Sequence, residues 1–154
     1  MHIPTLGFEE DTEISKSEIA REQLTEAIAL FLQEKFLCAI TLAGAAEGVL
    51  AGLVKALGEK AIVERSVEAI ERIRNATGLS VMEKLPPTKI YTDWNSTRNA
   101  IKHHAKDEAN IVTINLFDEA YWMIKRALSN ASNLGISISN EIDFENWCIL
   151  ELHR

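Results

Sequence analysis

From Ser15 onward, apolar residues recur every three or four positions, the spacing that gathers side chains on one face of an α-helix. The first helix begins at Ser15, where Ser15 and Glu18 form the Ser-x-x-Glu pattern in which each side chain satisfies a backbone donor at a helix start. Ile14 and Ile19 flank this pattern as a hydrophobic staple. Ala20, Leu24, Ala27, Ile28 and Phe31 form its buried stripe, with Arg21, Glu22 and Glu26 toward water. A second helix is predicted from Leu37 to Leu57, stopped by Gly58. Gly44, Gly48 and Gly52 lie four apart along one side of it, beside Ala45 and Ala51. Each glycine costs helix stability by about 1 kcal/mol against alanine, so this side is expected to admit a close neighbour. That neighbour is either another helix of the same chain or a second copy.

The third helix is predicted from Lys60 to Asn75, with Ile62, Ala69, Ile70 and Ile73 inward and a Glu68/Arg72 pair outward, ending at Thr77-Gly78. Residues 79–92 contain Pro86-Pro87 and read as the longest irregular connection. A short helix is expected from an Asp93 N-cap through Trp94 to about His104, then a loop over residues 106–112. The most regular helix follows, with Phe117, Ala120, Tyr121, Ile124, Ala127, Leu128, Ala131 and Leu134 in one stripe and Gly135 closing it. Asp118 and Glu119 suit the positive end of its dipole. Asn140 to Leu152 forms a last helix carrying Phe144, Trp147 and Cys148 on one side. Ile136 to Ile138 alternates too briefly to make a strand. The fold class that follows is all-α, an up-and-down bundle of four to five main helices plus a short C-terminal helix. It divides into a tail (1–14), a bundle (15–135) and a C-terminal helical extension (136–154).

At 47% apolar and 25% charged, with three prolines and seven glycines, the composition is that of a folded globular domain. The chain carries 16 basic and 23 acidic residues, a net −7, which argues against a protein that coats duplex DNA with a uniformly basic face. The balance is uneven. Lys84, Lys89, Arg98, Lys102 and Lys106 stand against Asp93 alone, a local +4 that leaves −11 on the remainder. Phe36 to Val54 is a 19-residue run whose single charge is Glu47. Its mid-span carboxylate and its wealth of Ala and Gly favour a buried bundle helix over a membrane span. Cys38 and Cys148 lie in apolar contexts, and residues 1–14 lack the basic start and apolar run of a secretion signal. A cytoplasmic, reducing setting without membrane contact is the expectation.

Several chemical signatures are missing from the sequence: a Gly-rich phosphate loop, a zinc-spaced Cys pair, a nucleophile elbow, and the Glu-x-x-His repeat of di-iron bundles. What remains is Arg98-Asn99-Ala100-Ile101-Lys102-His103-His104 within the basic segment. Cleavage of RNA by its own 2′-hydroxyl needs a base for that proton, an acid for the leaving oxygen and positive charge for the phosphorane. Histidine titrates near neutrality and arginine forks onto phosphate oxygens, so His103 and Arg98 suit these tasks. Lys102, His104 and Lys106 are the candidate substrate-binding cations beside them.

In this segment the chain resembles a HEPN domain, a family of small helical bundles whose catalytic members carry Arg, then a polar residue, then His a few positions on. An Ala/Gly-rich helix with an acidic residue (Leu42 to Glu47) precedes the motif and a Phe-Asp-Glu-Ala helix start (Phe117 to Ala120) follows it, so the likeness spans Ser15 to Gly135. The resemblance implies a metal-independent endoribonuclease, of the toxin or anti-phage effector kind, with no cofactor. Arg98, Asn99 and His103 would be its catalytic residues, in a cleft between the two protomers of a homodimer.

Helix geometry bears on that cleft. Arg98 and His103 stand about 140° apart around a helix axis, whereas Asn99 and His103 stand about 40° apart. Asn99 can therefore orient His103. Arg98 and His103 serve one site only if the helix ends before His103 or if each site takes Arg98 from one chain and His103 from the other. Arg98 also has a structural task open to it, as the partner of Glu47 on its apolar helix. His103 and His104 equally suit a helix C-terminus, and Trp94, Tyr121 and Trp122 suit core or interface better than base stacking. Two further readings stand beside the nuclease. One is a non-catalytic HEPN-like module for dimerisation, for docking a nucleotidyltransferase-type partner or for holding a nucleotide. The other is a metal enzyme using Glu47, His104 and Asp107.

Overall fold

The computed structural model describes residues 4, 6–78 and 86–153, and among these the regular structure is all helical, with no strand. Six helices follow in order: α1 (Lys16–Leu32), α2 (Phe36–Ala56), α3 (Ile62–Thr77), α4 (Pro87–Lys102), α5 (Leu116–Asn133) and α6 (Glu141–Leu152). They form an all-α, up-and-down bundle.

The start of α1 is built as its sequence demands. Ser15 Oγ accepts from the Glu18 N–H at 3.1 Å, and Glu18 Oε2 accepts from the Ser15 N–H at 3.1 Å. The staple is not formed in full, since Ile14 is half exposed. The five stripe residues of α1 are fully buried and meet Ala39, Ile40, Ala43, Ala46 and Leu50 of α2 and the α5 stripe in one core. Phe144 and Cys148 of α6 belong to that same core, and Phe31 sits at its aromatic centre, edge-on to Phe36, Phe144 and Trp147. Asn140 Nδ2 donates to the Thr25 carbonyl at 2.9 Å, fixing the start of α6 to α1.

α2 is long and apolar enough to cross a membrane by length and composition. Here one side of it packs between α1 and α5, and eight of its residues are buried, Glu47 among them.

α3 departs from its expected face. Val63 and Val67 are buried, while Ile62 and Ile70 are half-buried, Ala69 is exposed and Ile73 is 47% exposed. The inward side is set by what the helix leans on: α3 packs chiefly on α4 and α5, with Lys55 of α2 reaching its Glu64 at 2.7 Å, and its first turn is tied down where Asn130 Oδ1, fully buried in α5, accepts from the Ile62 N–H at 2.9 Å. Glu68 and Arg72 do pair outward, at 3.8 Å.

α4 is the largest correction. It begins at Pro87, six residues before the expected Asp93 cap, and Asp93 sits inside it, paired with Lys89 four residues earlier at 2.8 Å. The Pro-Pro pair starts the helix because the first helical position needs no N–H and proline's fixed φ already suits it. Residues 79–85 of the expected connection, Lys84 included, lie outside the described residues. With its early start, α4 presents Ile90, Tyr91, Trp94, Arg98 and Ile101 toward the bundle, of which only Ile90 is fully buried.

Candidate functional site

Arg98 faces inward. Its side chain crosses α2 where Gly44 leaves room: a Cβ on Gly44 would lie 3.0 Å from both Cγ and Cδ of Arg98. A Cβ on Gly48 would lie 3.8 Å from Nη1 of the guanidinium, whereas a Cβ on Gly52 would meet nothing within 4 Å. The close neighbour expected on the glycine side is thus α4 of the same chain, at Gly44.

The guanidinium ends on Glu47. Arg98 Nη1 donates to Glu47 Oε2 at 3.0 Å, and the carboxylate is nearly inaccessible, at 3% exposure. This is the structural partnership expected from a carboxylate on an apolar helix. The sequence reading missed a third member. Arg126 of α5 reaches Glu47 Oε1 at 3.4 Å and donates through Nη1 to the Trp94 carbonyl (3.0 Å) and through Nη2 to Asn95 Oδ1 (2.9 Å). One buried carboxylate therefore stands between two guanidiniums, and the cluster keeps a net positive charge while fastening α2, α4 and α5 together. Burial pushes the Arg126 pKa below its ordinary value; Glu47 opposes that shift and Arg98 adds to it. The signal available in the sequence was the position of Arg126, between Met123, Ala127 and Asn130, where a cation needs an internal anion.

His103 faces elsewhere. α4 ends at Lys102, and His103 is its C-cap in extended backbone (φ −132°, ψ 148°), so the first of the two geometric conditions is met: the helix stops before the histidine. The link between Asn99 and His103 is main-chain, the His103 N–H donating to the Asn99 carbonyl at 3.1 Å. Asn99, Lys102, His103 and His104 are exposed and line an open groove of about 990 Å³ between the end of α4 and residues 108–113. Ser96 and Ala100 continue the α4 wall, and Ile111 and Val112 face it. Arg98 does not line this groove, nor does Lys106, which lies on the turn beyond it. Within one chain, then, Asn99 and His103 share a groove and Arg98 stands on the other side of the helix.

The local basic character survives in part. Lys89 and Arg98 are committed to Asp93 and Glu47, leaving Lys102 and Lys106 as the lysines near the groove. Among the described residues no three His, Cys, Asp or Glu side chains gather as a metal site; Glu47 is held by the two arginines, apart from His104 and Asp107. Tyr121 packs among the core aromatics beside Phe117 and Phe144, Trp94 is half-buried, and Trp122 is 61% exposed, outside the core. Comparison with protein-family models, with curated proteins and with solved structures gives no match.

Proposed function

We propose that this chain is a HEPN-type endoribonuclease that cleaves RNA without a metal, as a homodimer, in the manner of a toxin or anti-phage effector. The observation that carries the proposal is the groove at the end of α4, where exposed His103 stands between Lys102 and His104 with Asn99 on the wall behind it. In this reading His103 takes the proton of a ribose 2′-hydroxyl, whose oxygen attacks the adjacent phosphorus. The bond from phosphorus to the 5′-oxygen breaks, a 2′,3′-cyclic phosphate forms, and the departing oxygen takes a proton from an imidazolium or from water. Lys102, His104 and Lys106 hold the flanking phosphates.

Arg98 enters from the partner protomer. Its Nη1 is engaged by Glu47, but the side chain stays 22% exposed, and a guanidinium has further N–H groups to offer a phosphorane. The net positive charge of the Glu47–Arg98–Arg126 cluster supports that use. Pairing across a dimer fits a chain whose own Arg98 and His103 occupy opposite sides of α4.

That divergence also favours a second reading, in which Arg98 serves only the bundle and the groove binds RNA or a nucleotide without cutting it. The test is cleavage of end-labelled single-stranded RNA in EDTA by the wild type and by His103→Ala. The nuclease reading expects cutting by the wild type and none by the variant, with helicity and mass unchanged. Binding of RNA by the wild type without cleavage, weakened in His103→Ala, would establish the second reading instead.

A further inference from the structure

A second groove lies on another side of the molecule, where α3, α4 and α5 meet, with a volume of about 700 Å³. Ile62, Trp94 and Met123 give it an apolar lining, and Trp122 stands on its rim with 61% of its surface in water. A tryptophan left this exposed in a largely apolar groove is what a protein interface provides as an anchor.

The charges decide what fits. Of the two cations lining the groove, Lys125 is committed to Glu145 at 2.7 Å, whereas Arg126 shares Glu47 with Arg98, at 3.4 Å, and also feels the charge of Glu119. Asp93 is paired with Lys89 at 2.8 Å, and the two carboxylates at the start of α5 are freer. Asp118 meets the neutral side-chain amide of Asn115 at 2.9 Å, and Glu119 is in no ion pair among the described residues. The groove thus combines an apolar floor with a lining of three carboxylates (Asp93, Asp118, Glu119) against two cations (Lys125, Arg126), and the exposed Asp118, at the first turn of α5, is paired with no cation among the described residues.

We propose that this groove docks a basic amphipathic helix of a partner protein, apolar residues against Trp94, Trp122 and Met123, and lysines or arginines toward Asp118 and Glu119. The exposed Trp122 favours a segment that brings a continuous apolar face to it: a small organic cation would be enclosed on most of its surface, and here one of the two lining tryptophans stands on the rim. The proposal is independent of the nuclease reading, because none of these residues lines the His103 groove.

The test uses the full chain, ¹⁵N-labelled, titrated with a Lys/Leu helical peptide of about 18 residues patterned at i, i+3, i+4 and i+7, and with its Glu/Leu counterpart. The chain has three tryptophans, so three indole N–H signals report directly. The Lys/Leu peptide is expected to shift those of Trp94 and Trp122 and leave that of Trp147 in place, and the Glu/Leu peptide to shift none. Trp122→Ala, and separately Asp118→Asn with Glu119→Gln, should each weaken binding by about tenfold. Glu22→Gln with Glu26→Gln, on the exposed side of α1, should leave it unchanged and so controls for attraction to net charge. The proposal is overturned if the indoles do not move, if the acidic peptide binds as well, or if the α1 variant weakens binding as much as the groove variants.

Discussion

Replacing Gly44 with alanine tests whether the Arg98 side chain really lies across α2. Ordinarily such a change inside a helix stabilises it by up to about 1 kcal/mol, because glycine loses more backbone freedom on folding. At Gly44 the new methyl would stand 3.0 Å from two carbons of the Arg98 stem, and that stem cannot swing away freely while its guanidinium is held on Glu47 at 3.0 Å. Overpacking of this kind costs about 1–3 kcal/mol, so a net loss of about 1 kcal/mol is expected. At about 2–4 °C per kcal/mol for a chain of this size, the midpoint of thermal unfolding should fall by a few degrees. Gly52→Ala is the matched control, since nothing lies within 4 Å of its Cβ, and it should raise stability by up to about 1 kcal/mol. In an Arg98→Ala background the Gly44→Ala change should turn from harmful to helpful, a coupling of about 2 kcal/mol between the two positions. Urea unfolding of the four proteins and of Gly52→Ala reads these values. Equal stabilisation by Gly44→Ala and Gly52→Ala would refute the placement of Arg98.

Glu47→Gln should destabilise the chain by about 3 kcal/mol, because it leaves two guanidiniums facing each other without their anion; adding Arg126→Met should recover part of that loss in the same denaturation assay. The Glu18 carboxyl is held below the usual carboxylate range by the Ser15 hydroxyl and then by the Ser15 N–H. Its contribution is therefore complete above the ordinary carboxylate pKa and is lost as pH falls through the lowered folded value; NMR titration should show the depression shrink in Ser15→Ala, which removes the hydroxyl and keeps the N–H. Cys38 is exposed, whereas Cys148 is buried and its thiol is pushed up chiefly by that burial. A thiol reagent should accordingly label one site per folded chain quickly and the second only on unfolding.

What was legible in the sequence followed local rules. The Ser15/Glu18 box, the α1 and α5 stripes, the Gly58 and Gly135 stops and the all-α class depend on spacing that neighbouring residues decide, and each is present in the structure. Glu47 as the partner of Arg98 was also accessible, because a carboxylate in an apolar helix needs a cation. The errors arose where two elements meet. Reading Pro86-Pro87 only as a break hid the first six residues of α4, and with them the run Ile90, Tyr91, Trp94, Arg98, Ile101 that marks Arg98 as inward-facing. The inward face of α3 depends on which helices it leans on, which its own periodicity does not record. Arg126 stayed hidden because its partners lie 31, 32 and 79 residues away in the chain.

The account's central claim is that His103 of one protomer acts with Arg98 of the other, and mixing two inactive variants tests it directly. Arg98→Ala and His103→Ala proteins, each confirmed to be folded and dimeric, are unfolded together in urea, refolded to exchange subunits, and assayed on single-stranded RNA in EDTA. A two-fold dimer with shared sites regains one intact site in each mixed dimer, so about a quarter of wild-type activity should return. If the wild type cleaves and the mixture stays inert although mixed dimers have formed, Arg98 and His103 do not act across the interface and the claim is wrong.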